Sequence, residues 1–252
     1  MANYIKGIDV SSVQGKVDYV AEAATGIQFV IAKCGNGNDG FDPDYSLNIT
    51  NATAAGLYTA CYNFVYPLPP NPNLPSRNPA VQAQMHFTAA GNVPVHTIDI
   101  EWPAPGPDWQ KWNVSASSIN DWCLAYLETY TSLLGKKPLI YTYPFFASAV
   151  KFTSDFAQYP LWIASYEPTP AIPSPWTSWV LWQTTGGGGK LTNGAPVDTD
   201  VALDLSLWNV APAAVSAPAI PSITTPPVVV PAPVVAPPVQ PAPTVVSTVV
   251  AD

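Results

Sequence analysis

Val93-Pro94-Val95-His96-Thr97-Ile98-Asp99-Ile100-Glu101-Trp102 is a run of apolar and β-branched residues that turns acidic at its end. It reads as a buried strand, and in a strand residues i and i+2 point to the same face. Asp99 and Glu101 therefore emerge side by side, roughly 6–7 Å apart at the backbone. Two acids at one strand end cost free energy through desolvation and like-charge repulsion. What the arrangement yields is one carboxyl group held protonated beside one that is ionised. That division of labour suits the cleavage of a glycosidic bond.

Outward from this stretch, short apolar runs alternate with helical patterns. Strands are predicted at 5–10, 29–34, 57–65, 93–101, 138–143, 161–166, 179–183 and 197–203, and helices at 17–24, 44–55, 80–90 and 117–134. In the last helix Ile119, Trp122, Cys123, Tyr126, Leu127 and Tyr130 recur at three- and four-residue spacing, which makes a core-facing stripe. Strands alternating with helices imply a parallel sheet. Eight of them suggest a closed, compact TIM-like β/α barrel that has lost some late helices, with an open doubly wound sheet as the competing topology. No glycine-rich phosphate fingerprint supports the open sheet. The four glycines at 186–189 follow a strand, but Lys190-Leu191-Thr192-Asn193 opens no helix, so they read as a flexible loop.

Composition narrows the function class. The chain has 252 residues, 48% hydrophobic and 10% charged, with net charge -8, which argues against nucleic acid as a partner. Nine Trp and twelve Tyr supply core packing and platforms for sugar rings. Cys34, Cys61 and Cys123 read as three buried thiols, and neither they nor His86 and His96 form a metal motif, so no metal or cofactor is expected. The N-terminus lacks a secretory pattern. No stretch approaches the roughly 18 apolar residues of a membrane helix, so no membrane insertion is expected. From 210 to 252 the chain is almost all Pro, Ala, Val, Ser and Thr, which reads as an extended tail or linker after a domain spanning 1–209. Pro-rich loops at 66–79 and 103–112 leave C-terminal strand ends, the face where barrel enzymes build their sites. Trp102, Trp109 and Trp112 bracket the second.

Acids recur on other strands too. Asp9 closes the first in Gly7-Ile8-Asp9-Val10-Ser11-Ser12, and Asp198 and Asp200 lie in the last. First and last strands are neighbours in a closed barrel. Closure would bring these acids to one mouth with Asp99 and Glu101, although each alone has a structural explanation such as capping a turn.

These motifs resemble the family 25 glycoside hydrolases, the N-acetylmuramidase-type lysozymes. The resemblance rests on Gly7-Ile8-Asp9-Val10-Ser11-Ser12 with Gln14-Gly15, then Phe29-Val30-Ile31-Ala32-Lys33, Ala55-Gly56-Leu57, Tyr62-Asn63-Phe64 and Asp99-Ile100-Glu101. It continues through Pro160-Leu161-Trp162-Ile163-Ala164, Tyr166, Trp182-Gln183 and Val197-Asp198, and covers residues 4–209. It implies an α/β fold, a flattened TIM-like barrel of eight strands and about five helices. It also implies Glu101 as general acid, Asp99 as the partner acid, Asp9 and Asp198 as supporting carboxylates, and Tyr62, Trp102, Tyr166 and Gln183 as glycan contacts. Val13 stands where the family usually has Trp, Asn63 where His is common, and Cys34-Gly35-Asn36-Gly37 replaces a more usual turn. These positions line or support the family's cleft.

The resulting expectation is a peptidoglycan muramidase that cuts the β-1,4 link between N-acetylmuramic acid and N-acetylglucosamine. The partners expected are peptidoglycan glycan strands and, through the 210–252 tail, a virion component or a permeabilising partner. Made in the cytoplasm without a signal peptide, such a phage-type protein would reach the wall after release or on a virion. The rivals are a non-catalytic glycan-binding or structural module that keeps the barrel, and a glycosidase of another sugar such as chitin.

Overall fold

The computed structural model describes residues 4–37, 40–69, 71, 73–102 and 114–208. The 103–112 loop, with Trp109 and Trp112, and the 210–252 tail lie outside the described residues.

Eight strands close a barrel in chain order: β1 Ile5–Val10, β2 Phe29–Asn36, β3 Tyr58–Phe64, β4 Val95–Asp99, β5 Leu139–Thr142, β6 Leu161–Ala164, β7 Leu181–Lys190 and β8 Pro196–Ala202. Five α-helices pack outside: α1 Tyr19–Ala24, α2 Tyr45–Ala54, α3 Pro79–Ala90, α4 Ala116–Leu134 and α5 Pro144–Val150. The flattened, helix-poor TIM-like barrel expected from the sequence is the fold found, and α5 is an addition to the predicted helices.

Two expectations are corrected. The sheet is not wholly parallel, because β8 runs antiparallel to both β1 and β7. Only residues 191–195 separate β7 from β8. Such a span closes an antiparallel hairpin but is too short for the crossover that a parallel pair needs. Nor are the glycines at 186–189 a flexible loop, since β7 runs through them to Lys190, paired with Pro196.

Local signals set the helix ends. The Ser115 side chain accepts from the Ser118 N–H to start α4, and Gly135 ends it in the left-handed conformation at φ 73°. Asn78 caps α3, with Pro79 at its first position.

Strand alternation divides the core into an inner and an outer layer. Inward-facing Phe29, Ile31, Ala60, Val95, Leu139, Trp162 and Leu181 fill the barrel. Outward residues such as Ile98, Ile100, Val30 and Ala32 meet the helices. His86 Nδ1 on α3 bonds the Tyr126 hydroxyl of α4 at 2.7 Å, and His96 Nδ1 on β4 bonds the Tyr130 hydroxyl of α4 at 2.8 Å. Burial pushes both imidazoles down to about 4, so they are neutral structural groups at pH 7. Cys34, Cys61 and Cys123 are free and buried. Among the described residues no helix is long and apolar enough to cross a membrane.

Trp208 plugs the end of the barrel where β2 and β3 begin. Its ring packs on Phe29 at 5.1 Å and Tyr58 at 6.0 Å, and its indole N–H donates to the Thr59 carbonyl at 2.9 Å. Trp208→Ala should therefore cost about 3–5 kcal/mol of stability, read by chemical denaturation. A loss below about 1 kcal/mol would show that the plug does not support the barrel.

Candidate active site

The two-residue period of each strand selects what reaches the open end of the barrel. On the inward face Asp9 follows Ile5 and Gly7 on β1, Lys33 follows Phe29 and Ile31 on β2, and Tyr62 follows Tyr58 and Ala60 on β3. Asp99 follows Val95 and Thr97 on β4, with Glu101 two residues on. A Cβ on Gly7 would come to 2.2 Å from the Phe29 ring, so glycine there leaves room for the inner core beneath Asp9. Because β8 runs the other way, its first residues lie at this end. Asp9 pairs with Asp198, and Asp200 pairs with Gly7 on one side and Gln183 on the other.

Gln183 is the hub of the polar contacts. Its Nε2 donates to Asp9 Oδ2 at 2.8 Å. Its Oε1 accepts from the Tyr141 and Tyr166 hydroxyls, both at 3.0 Å. Tyr166 stands 61% exposed at the rim, and a Cβ on Gly186 would lie 2.6 Å from its hydroxyl, so that residue must be small for Tyr166 to sit there. The Gly187 N–H donates to Asp198 Oδ1. Behind Asp9, Asp42 Oδ2 accepts from the Ser12 N–H and hydroxyl, both at 2.9 Å, and fixes the loop that leaves β1.

The acids perturb one another. Burial pushes Glu101 up to about 7, with Lys33 pulling it back and Asp198 adding to the rise. Burial, then the charge of Asp198, pushes Asp9 up to about 7 against the hydrogen bond from Gln183. Burial and then Glu101 hold Asp99 well above the usual carboxylate range, with Lys33 opposing. Asp198 is raised by burial, and its bond from Gly187 opposes that. Asp99 Oδ1 is buried without a hydrogen-bond partner, an acceptor to spare in the mouth.

The structure thus gathers Asp9, Asp99, Glu101, Asp198, Tyr62, Tyr166 and Gln183 in one place. Tyr62 lies edge-on to Trp162 at 6.2 Å and within reach of the charges of Asp9, Asp99 and Asp198. Trp102 is placed differently. It is 8% exposed, packs edge-on against Phe146 at 4.7 Å, and belongs to the outer cluster with Ile98 and Ile100. Asn63 and Cys34 do not line the cleft, which corrects the expectation for those positions. Asn63 Nδ2 donates outward to the Tyr130 hydroxyl at 3.2 Å, and Cys34 lies in the outer core. Val13 is 85% exposed on the turn after β1. The sequence brings Asp200 to the mouth among the strand acids but assigns no role to Lys33, Tyr141 or Trp162. Each lies an even number of residues from an inward neighbour, so extending the strand period would have found them. Among the described residues no group of three His, Cys, Asp or Glu is arranged to hold a metal ion.

Comparison with known proteins agrees with this fold. The family model described as "Glycosyl hydrolases family 25" matches residues 8–190. An N,O-diacetylmuramidase of Chalaropsis sp is 27% identical over 207 residues, which is 76% of this chain and 95% of that protein. The muramidase structure from Trichobolus zukalii superposes with a TM-score of 0.66 at 26% identity, covering 79% of this chain and 93% of that one. The bacterial lysozyme of Streptomyces coelicolor gives a TM-score of 0.71 at 23% identity, covering 85% and 100%, and speaks to the fold.

A carboxyl whose folded value is raised contributes stability that is complete below its unfolded value and is lost as pH rises through the folded one. For Glu101 that window runs from 4.5 to about 7. Glu101→Gln removes the penalty. It should raise stability at about pH 8 by on the order of 1–3 kcal/mol and leave it near unchanged at about pH 4. Thermal unfolding at the two pH values reads this, and an equal effect at both would contradict the buried-acid assignment.

Proposed function

Since the chain belongs to glycosyl hydrolase family 25 and is a glycoside hydrolase, we propose that it is a muramidase. The substrate is peptidoglycan, and the bond cut is the β-1,4 link from N-acetylmuramic acid to N-acetylglucosamine. The observation that carries this reading is Asp99 at the end of β4 with Glu101 two residues on, gathered with Asp9 and Asp198 at one mouth.

Glu101 is the general acid. Its carboxyl, raised to about 7, keeps a proton at mildly acidic pH and gives it to the leaving glycosidic oxygen. Asp99 is the partner on the sugar side. Its neighbours favour its neutral form, which orients a substrate better than it attacks one. Its unpartnered Oδ1 suits acceptance of the N–H of a 2-acetamido group, so the sugar's own amide supplies the nucleophile. Asp198, half-buried and the least perturbed by its neighbours, places negative charge where the oxocarbenium-like transition state turns positive, with Asp9 paired beside it. Tyr62 and Tyr166 offer ring faces to the glycan. Also part of the proposal is a phage-type route to the wall. The Pro- and Val-rich 210–252 segment would tether the barrel to a virion component or a permeabilising partner.

Release of reducing sugar from purified peptidoglycan tests the reading, with mass spectrometry to identify the new reducing end. Glu101→Gln should lower kcat by about 10²–10⁴-fold. Equal rates in wild type and variant would leave a glycan-binding barrel instead, and N-acetylglucosamine at the new reducing end would point to another glycosidase. The rate should fall as pH rises through about 7, where Glu101 loses its proton. Because Asp198 adds to that rise, Asp198→Asn should move this alkaline limb to lower pH. A Lys33→Met variant, which removes the opposing charge, should move it higher. Limbs that shift the other way, or not at all, would remove Glu101 as the titrating acid.

A further inference from the structure

Asp200 has no part in the reaction described above, yet at 1% exposure it is the most deeply buried carboxyl of the mouth. Its neighbours come from every strand around it. From β6 the Trp162 indole N–H donates to its Oδ1 at 2.9 Å. From β1 Asp9 is its diagonal neighbour on the inward face, because Asp200 pairs with Gly7 and Asp198 with Asp9, and the two carboxyls interact. On β7 Gln183 is its register partner, and on β8 Asp198 is the next residue on the same face. Asp200 Oδ2 is buried and receives no N–H or neutral O–H.

The donors and acceptors fit one another. Gln183 Oε1 accepts from two tyrosine hydroxyls, and its Nε2 donates to Asp9, which is an acceptor there. An indole is a donor only, so Asp200 Oδ1 accepts. Two carboxyls side by side in a buried site are not both ionised, and one of them carries a proton. Asp200 is the more deeply sealed of the two, and burial disfavours its charge more. The proton then lies on Asp200 Oδ2, the oxygen without a donor, and points at Asp9.

We propose that Asp200 is a positioning residue: it remains a neutral acid and donates its O–H to Asp9, favouring the carboxylate form of Asp9. The result is a hydrogen-bonded chain from Trp162 through Asp200, Asp9 and Gln183 to the exposed Tyr166. The proton's location is a property of the fold. Only its use, orienting Asp9 and favouring its charge beneath the sugar, rests on the muramidase reading.

Two measurements on the full chain test this. Carbon-13 NMR of protein labelled at the aspartate carboxyls, with the Asp200 signal identified by its loss in Asp200→Asn, reads the protonation state directly. The expected result is a carboxylic acid at about pH 7. A carboxylate there overturns the proposal whatever the activity. In the second, Asp200→Asn can still accept from Trp162 and donate to Asp9. It should keep kcat within about fivefold of wild type with an unmoved pH profile. Asp200→Leu cannot donate, and should lose about 10²-fold in kcat with KM within about twofold. An Asn variant as impaired as the Leu variant, with both folded, would overturn the role. Should the Leu variant fail to fold, the NMR state and the Asn variant decide it. Should wild type release no reducing sugar, the muramidase reading fails while the NMR result still decides where the proton lies.

Discussion

Asp9, Asp99, Glu101, Asp198 and Asp200 project into one barrel mouth, where burial, joined by repulsion for all but Asp198, raises every one of them. In water such a group of acids would simply ionise and separate. Here the strands hold them together, and the cheapest response is to keep protons. A proton donor that survives near neutral pH follows from that crowding, with no unusual residue required. Lys33, stacked over Phe64 at 5.2 Å, supplies an opposing positive charge that limits the rise of Asp99 and Glu101.

The rest of the fold offsets what this mouth costs. The inner apolar layer and the Trp208 plug fill the barrel below the acids. Outside, the α4 stripe locks against the sheet, and the two buried imidazoles find tyrosine partners on it. Their titration runs opposite to that of the acids. The histidines lose stability as pH falls from 6.5 towards about 4, whereas Asp9 and Glu101 lose it as pH rises towards about 7.

Much of this was legible in the sequence because it is local. A buried strand ending in Asp99 and Glu101, the helical stripe from Ile119 to Tyr130, and the Ser and Gly signals at its ends each depend on residues a few positions apart. Asn63 shows the limit. Its neighbour Tyr62 faces the mouth, so Asn63 must face the helices, and position in a motif did not convey that one-residue alternation. Trp102 follows the same rule beside Glu101, and packs with Ile98 and Ile100 in the outer core. The glycines at 186–189 misled for a different reason. Glycine weakens a strand by local propensity, and here the pairing with β8 overrode it.

The sequence by itself determined the strand period, the two-acid strand end and the alternation of strands with helices, since each follows from side-chain chemistry at short range. It did not determine the direction of β8. In a wholly parallel barrel Asp198, near the start of its strand, would fall at the end that Trp208 plugs. The tertiary structure reverses β8 because a five-residue connection, 191–195, admits only a hairpin. That reversal sets Asp198 opposite Asp9 and leaves Asp200 sealed beneath it. Local patterns thus made the acids, and closure of the barrel against an antiparallel strand made them neighbours.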